Sequence, residues 1–484
     1  MPSIRPWFTP VRWTTASAAH PRRVLAVWAL ALVVSAGIVG TLLKSATTTQ
    51  VSFVNTPESK RADRIIAGVI GVSSQDTETV VIRTVAGGAP SPAAVRRLAG
   101  RIDTLGPGVV SSVITPWNGG GPAMISGDRR TVLLGVVRAG SETQATDSVG
   151  KVVALAESAG GGLRAQVTGQ AAIARDTNTV AGTDLSTGES IGIPVALLVL
   201  LLVFGTVVSA LLPVGLAIVA IVVALALTSL VGQAYQLSFF VVNMITMMGL
   251  AVGIDYALFI ASRYREERAG GTPSQAAIEI AGRTASRAVL FSGMTVVVAL
   301  VGLLIVPTTI FLSLAAGAIL VVLSAVAAAM TLLPACLAML GDRLETGRVG
   351  RLLPHRRRRP GPQTPGGGFW PRAVGAVMRR PIASAAIVVA LLVAAALPYS
   401  QMATGASGVA TLPHGLASRQ AYETLSREFA VGAVAPARIP IVRNVASRAN
   451  RAAVAHIAAG VAGDPVFGRP VLEPGAGPRG GVLD

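Results

Sequence analysis

Cysteine is almost missing from this chain. Its 484 residues include one, Cys336, which excludes an internal disulfide. There are only 4 His, with no Cys/His cluster, so no metal site is expected. Charge is scarce too. Charged residues make up 13% against 52% hydrophobic, and mean hydropathy is +0.63. These values exclude an ordinary soluble enzyme and indicate a polytopic membrane protein. A nucleophile–base constellation is also lacking. Gly119-Gly120-Gly121 and Gly160-Gly161-Gly162 have neither the strand-to-helix context nor the Lys of a phosphate-binding loop. We therefore expect no enzymatic activity and no cofactor.

The long apolar runs contain no Lys or Arg, and Asp255 is the only acidic residue in any of them. A lone Asp near mid-membrane costs roughly 2.5–3.5 kcal/mol on insertion scales. A chain that clears charge from its spans yet keeps one carboxylate marks that carboxylate as a functional candidate, usually for an ion pathway or proton relay. A structural Asp bonded to a neighbouring helix is the alternative reading.

Seven spans can be drawn, at 24–43, 191–210, 212–232, 239–262, 288–306, 310–339 and 381–399. Each is long enough for a ~30 Å hydrocarbon core. The net charge of +18 lies in their connections. Residues 341–380 hold 10 Arg against Asp342 and Glu345, and 262–287 hold 5 Arg against 3 Glu. Residues 1–23 are basic without an acid, whereas the long connection 44–190 is nearly neutral. Short basic loops mark the cytoplasmic side, and long domains cross regardless of charge. The expectation is a multi-pass protein of the inner cell membrane. The N-terminus (1–23) would be inside, as would the connections 263–287 and 340–380. Residues 44–190 and 400–484 would be outside. The charge excess thus reads as topology rather than nucleic-acid binding. The run His355–Arg359 also suits anionic lipid.

The outer connection 44–190 reads as a compact α+β domain. Strands are expected at 79–84, 130–137 and 163–168 from their β-branched alternation. Helices are expected at 92–104, opened by Ser91-Pro92, and at 148–158. The chain also repeats weakly. Arg22-Arg23 precede the first span as Arg379-Arg380 precede the seventh. Ser59 and Ser418 are 359 apart, as are Ala62 and Ala421, and Ala94-Val95 and Ala453-Val454. Repeats of this kind are a common plan for transporters. The alternative is coincidence in an Ala/Arg-rich chain.

Around Asp255 the residues have competing readings. Gly249 and Gly253 form a GxxxG pattern that permits close helix packing. Tyr256 can donate to an acceptor on a neighbouring span, as any buried Tyr does. Ser292 and Thr295 share a face of the fifth span. They can serve a relay or bond back to the carbonyl four residues earlier.

The fourth span and its exit, Gly249-Leu250-Ala251-Val252-Gly253-Ile254-Asp255-Tyr256-Ala257-Leu258-Phe259 and Ser262-Arg263-Tyr264-Arg265-Glu266-Glu267, resemble the mycobacterial membrane protein large (MmpL) family of resistance–nodulation–division (RND) transporters. Leu202-Val203-Phe204-Gly205-Thr206, Ala281-Gly282-Arg283-Thr284, Val289-Leu290-Phe291-Ser292-Gly293 and Leu332-Leu333-Pro334-Ala335 agree in order and depth. The resemblance implies an RND-like fold. That fold is a polytopic α-helical membrane domain, 191–339 with the first span, carrying an α+β extracytoplasmic porter domain. It implies proton-motive-force-driven export of lipids or other hydrophobic compounds, with Asp255, Tyr256 and Ser292 in a proton relay. Family members have twelve spans, two porter domains and a second Asp-Tyr pair. This chain resembles the first half, the seventh span and part of a second porter domain (400–484). It is expected to be C-terminally incomplete, with a second chain or a homo-oligomer supplying the missing spans. The alternatives are a non-transporting sensor or assembly subunit of the same architecture, and an inactive truncated product.

Overall fold

The computed structural model describes residues 10–48, 55–70, 77–138, 142–341, 369–401, 409, 412–429, 439–441, 447–461, 472–474 and 481–483. The basic run His355–Arg359 lies outside them. Among the described residues, seven helices are long and apolar enough to cross a membrane. The chain divides into two bodies, one formed by residues 1–348 with 412–484 and the other by 349–411.

In the first body, helix α1 (Pro10–Ala19) and helix α2 (Pro21–Ala46) are separated at His20. Pro21 suits the first turn of α2, where a missing N–H costs nothing. A two-residue strand β1 (Thr47–Thr48) and helix α3 (Glu58–Ile70) follow. Next come β2 (Thr77–Thr84), α4 (Pro92–Asp103), β3 (Val110–Ile114), β4 (Thr131–Arg138), α5 (Glu142–Glu157) and β5 (Leu163–Thr168). The sheet order is β3-β4-β2-β5, antiparallel throughout, which is a split β-α-β. Val80 and Ile82 of β2, Leu134 and Val136 of β4, and Leu98 and Ile102 of α4 are fully buried in its core.

Three features depart from the sequence reading. The edge strand β3 went unforeseen, because Ser111 and Ser112 interrupt its apolar alternation. Helix α5 starts six residues ahead of 148. The second membrane helix, α6 (Gln170–Phe204), begins 21 residues ahead of 191. Its polar first half carries no apolar period and reads from sequence as domain surface.

The remaining bundle is α7 (Val207–Ala234), β6 (Leu237–Ser238), α8 (Phe240–Ala269), α9 (Ser274–Val301), α10 (Thr309–Ala327) and α11 (Leu333–Leu340). A π-helical turn at Ala328–Leu332 joins α10 to α11 just ahead of Pro334, whose missing N–H and bulky ring disrupt a regular ladder. Thr331 in that turn accepts from Trp28 Nε1 of α2 at 3.0 Å. The α7 and α10–α11 spans are half buried, while α2 and α6 are about 6% buried. The former are therefore the bundle's centre and the latter its rim. Strands β1 and β6 pair in parallel, Thr47 with Leu237 and Thr48 with Ser238, and tie the end of α2 to the α7–α8 turn.

In the second body, α12 (Phe369–Arg379) leads into α13 (Pro381–Ala396), which has no buried residue. Back in the first body, α14 (Ala417–Glu428), β7 (Ile439–Ile441), α15 (Arg448–Val461), β8 (Leu472–Pro474) and β9 (Gly481–Leu483) complete the described chain. Strands β7-β9-β8 form a small antiparallel sheet.

Two helices are exchanged between the sheets. Helix α14 lays Ala421 and Leu425 on Val81 and Leu133 of the four-stranded sheet. Helix α3 packs instead against β7 and β9. Helices α3 and α14 begin 359 residues apart, at Glu58 and Ala417, the offset of the sequence repeat. Each repeat thus lends its leading helix to the other.

Candidate functional site

Helix α8 carries the candidate site, and its two faces differ. A Cβ added to Gly253 would lie 2.8 Å from Ala217 Cα of α7, and one added to Gly249 would strike Ile221 of α7. These two glycines let the backbones of α7 and α8 meet. On another face, Met247, Ala251, Asp255 and Phe259 recur every four residues and all are exposed. Met247 is 65% and Phe259 53% exposed. Asp255 makes no hydrogen bond or ion pair among the described residues. It stands eight residues before Arg263, about 12 Å along the helix at 1.5 Å per residue.

Tyr256, 7% exposed, turns the other way into the bundle. Its ring lies at Gly293 of α9. A Cβ there would sit 3.5 Å from Tyr256 Oη and 2.6 Å from Val326 Cγ2 of α10. Gly293 thus leaves the space in which the phenol meets α9 and α10, a role that its neighbour Ser292 hides in sequence. Ser292 itself is exposed, with no hydrogen bond among the described residues. Thr295 Oγ donates to Phe291 O at 2.8 Å, the local back-bond. The structure therefore brings Tyr256 to the Ser292–Gly293 step. It makes no hydrogen bond linking Asp255, Tyr256 and Ser292 among the described residues.

Both ends of α6 are fastened, by residues to which the sequence reading gave no such role. At one end Arg265 of α8 donates to Phe204 O at 2.8 Å, and its guanidinium lies 5.1 Å from the Phe204 ring centre. Phe204 closes α6, where helix carbonyls lack internal partners and a cation is favoured. Gly205 follows at φ 70, the left-handed stop common after helices.

At the other end, Glu78 of β2 is fully buried. It accepts from Ala171 N at 2.9 Å and Ala172 N at 3.1 Å, the first amides of α6, and sits 3.2 Å from Arg138 Nε of β4. A carboxylate there satisfies orphan N–H groups and meets the positive end of the helix dipole. Gly169 makes this approach possible. Its φ is 144, and any side chain on it would strike the Glu78 carboxylate. Burial pushes the Glu78 carboxyl above its ordinary value, against the lowering pull of the two amides and Arg138. The sequence did hold a signal: Glu78 alternates with Val80 and Ile82 and so points into the core.

The MMPL family model matches residues 50–384. The mycolic acid-containing lipids exporter MmpL11 of Mycolicibacterium smegmatis is 38% identical over 251 residues, 52% of this chain and 26% of that protein. The trehalose monomycolate exporter MmpL3 of the same organism is 34% identical over 272 residues, 52% of this chain and 27% of that protein. The heme uptake protein MmpL11 of Mycobacterium tuberculosis is 33% identical over 283 residues, 58% of this chain and 29% of that protein. The matches thus span only between a quarter and a third of these relatives' length.

Proposed function

The chain belongs to the MMPL family, and from that premise we propose that it works in proton-driven export of lipids or other hydrophobic compounds across the inner cell membrane. Asp255 is the proton-carrying group. The observation that carries this reading is the position of Asp255. It is the only acid in the apolar runs of the sequence, it lies deep along α8, and it has no partner among the described residues. A carboxylate there can change charge within the membrane field, worth about 2.3 kcal/mol per charge per 100 mV. Tyr256 and Ser292 flank the path, Tyr256 by fixing α8 against α9 and Ser292 by offering a hydroxyl on the open side. Relatives named as exporters of mycolic acid-containing lipids and of trehalose monomycolate support a lipid substrate. A relative named for heme uptake fits the broader class of hydrophobic compounds.

The exposed stripe of Asp255 calls for a complement, which we assign to further spans from a second chain or a second copy. The basic connections 263–287 and 340–380 support an N-terminus inside and the α+β domain outside. The test is Asp255→Asn in the complete complex reconstituted into liposomes with an imposed proton gradient. Gradient-dependent efflux of a labelled lipid should fall at least about tenfold, the loss of about 1.4 kcal/mol of coupling. Unchanged efflux would remove Asp255 from the mechanism.

A further inference from the structure

Outside the membrane spans, the sheet beneath α14 holds an arrangement that the fold alone does not explain. Arg83 of β2 and Arg164 of β5 are direct partners across the antiparallel pair, as are Val81 and Gln166. Directly opposed side chains have Cβ atoms about 4.5–5.5 Å apart, and like charges so placed are destabilising. Two neighbouring cavities share these two arginines. One, of about 210 Å³, lies under α14 and adds Arg427, Gln166, Gln420, Thr424 and one acid, Glu423. The other, of about 280 Å³, adds Arg130 and Thr84. Four guanidinium groups thus converge on adjoining hollows.

Three acids lie nearby and offset only part of this charge. Glu428 pairs with Arg83 at 3.1 Å, and Glu423 with Arg419 at 2.8 Å. Asp128 accepts from Ser126 Oγ at 2.6 Å and Arg130 N at 3.0 Å. Arg164 reaches only the neutral Gln420 Oε1, at 3.1 Å. Arg130, Arg164 and Arg427 have no acidic partner within ion-pair distance among the described residues.

We propose that Arg83, Arg130, Arg164 and Arg427 bind a phosphate-bearing anion, either the headgroup of an anionic lipid or a soluble phosphoester. Guanidinium forks match phosphate oxygens in bidentate geometry, and an anion between Arg83 and Arg164 turns their repulsion into shared attraction. The hydroxyls of Thr84 and Thr424 and the amide of Gln166 supply neutral donors at the walls. Such a site sorts ligands by headgroup charge. It stands independently of proton coupling, since binding needs no gradient.

The test uses the full chain in nanodiscs at constant ionic strength, because salt alone screens the arginine pair. One arm adds glycerol 3-phosphate to phosphatidylcholine discs. The other replaces phosphatidylcholine with phosphatidylglycerol. A ligand that binds the folded state raises the melting temperature. We expect a rise in at least one arm, the first identifying a soluble phosphoester and the second alone a lipid headgroup. Arg164→Gln should melt no lower than the parent without the anion, and its affinity should be weaker by about tenfold or more. Arg130→Gln, whose side chain makes no bond within the fold among the described residues, should weaken binding at unchanged basal stability. No rise in either arm, or an undiminished rise in both variants, would overturn the proposal.

Discussion

Glu78 and Asp255 are both acids on regular elements, one in the α+β domain and one in the bundle, and their surroundings differ in every respect. Glu78 is fully buried and has two amide donors and Arg138. Asp255 is exposed along a helix face and has no partner among the described residues. A buried carboxyl whose partners are complete serves as scaffold, because removing it would leave those partners unsatisfied. A charge without partners in an apolar segment holds an expensive resting position. The domain therefore uses its carboxylate to hold shape, whereas that of the bundle is tied to nothing among the described residues.

The sharpest way to break this contrast is to remove each acid. Glu78→Ala removes the acceptor of two α6 amides and the carboxylate beside buried Arg138, and should destabilise the domain by about 3–5 kcal/mol, read as a lower melting temperature and early proteolysis of 77–168. Asp255→Asn should leave the melting temperature unchanged or higher, since it removes an unpaired charge. A large loss on Asp255→Asn would mean that it too is scaffold.

Glu78 also predicts a pH dependence. Its folded value lies above the ordinary 4.5, so the folded domain holds that proton longer than the unfolded chain does. The resulting stability is complete below about 4.5 and is lost as pH rises through the raised value. Melting temperature should fall across that window, and Glu78→Gln should flatten the curve.

Smaller effects refine the picture. Leu425→Ala in α14 should cost about 2–3 kcal/mol by opening a void against Val81 and Leu133, and limited proteolysis should then release α14 first. Gly169→Ala should cost about 1–3 kcal/mol, because the new methyl strikes Glu78 at a backbone angle that suits only glycine. Thermal unfolding checks both. The exposed pair of Arg283 with Glu279 should matter least. Arg283→Gln should shift stability by no more than about 0.5 kcal/mol, within the scatter of most melting curves.

The seven membrane helices were legible because an apolar run of some 20 residues has few other uses. Strands β2, β4 and β5 were legible from their β-branched alternation. What escaped was whatever depends on distant partners. Strand β3 is an edge whose Ser111 and Ser112 face outward. The early start of α6 is set by Glu78, more than ninety residues away. The repeat offset tied the region of α3 to that of α14 but gave no hint that they exchange sheets. At the site, the sequence pointed to Asp255 by its isolation. Gly293 was invisible, because its role exists only where the Tyr256 ring arrives from another helix.

Helix α6 runs without a break from the Glu78 cradle to the Arg265 clamp at Phe204. Its 35 residues make a rod of about 52 Å at 1.5 Å per residue. Fixed at both ends, such a rod acts as a lever. A rocking of about 5° about the Gly205 pivot would carry the cradle sideways by about 4–5 Å, roughly one strand spacing. A rearrangement of a few tenths of an ångström where α6 meets α8, near Arg265, would thus reappear in the four-stranded sheet as a displacement of several ångströms, less whatever bend is taken up at Pro194 inside the helix.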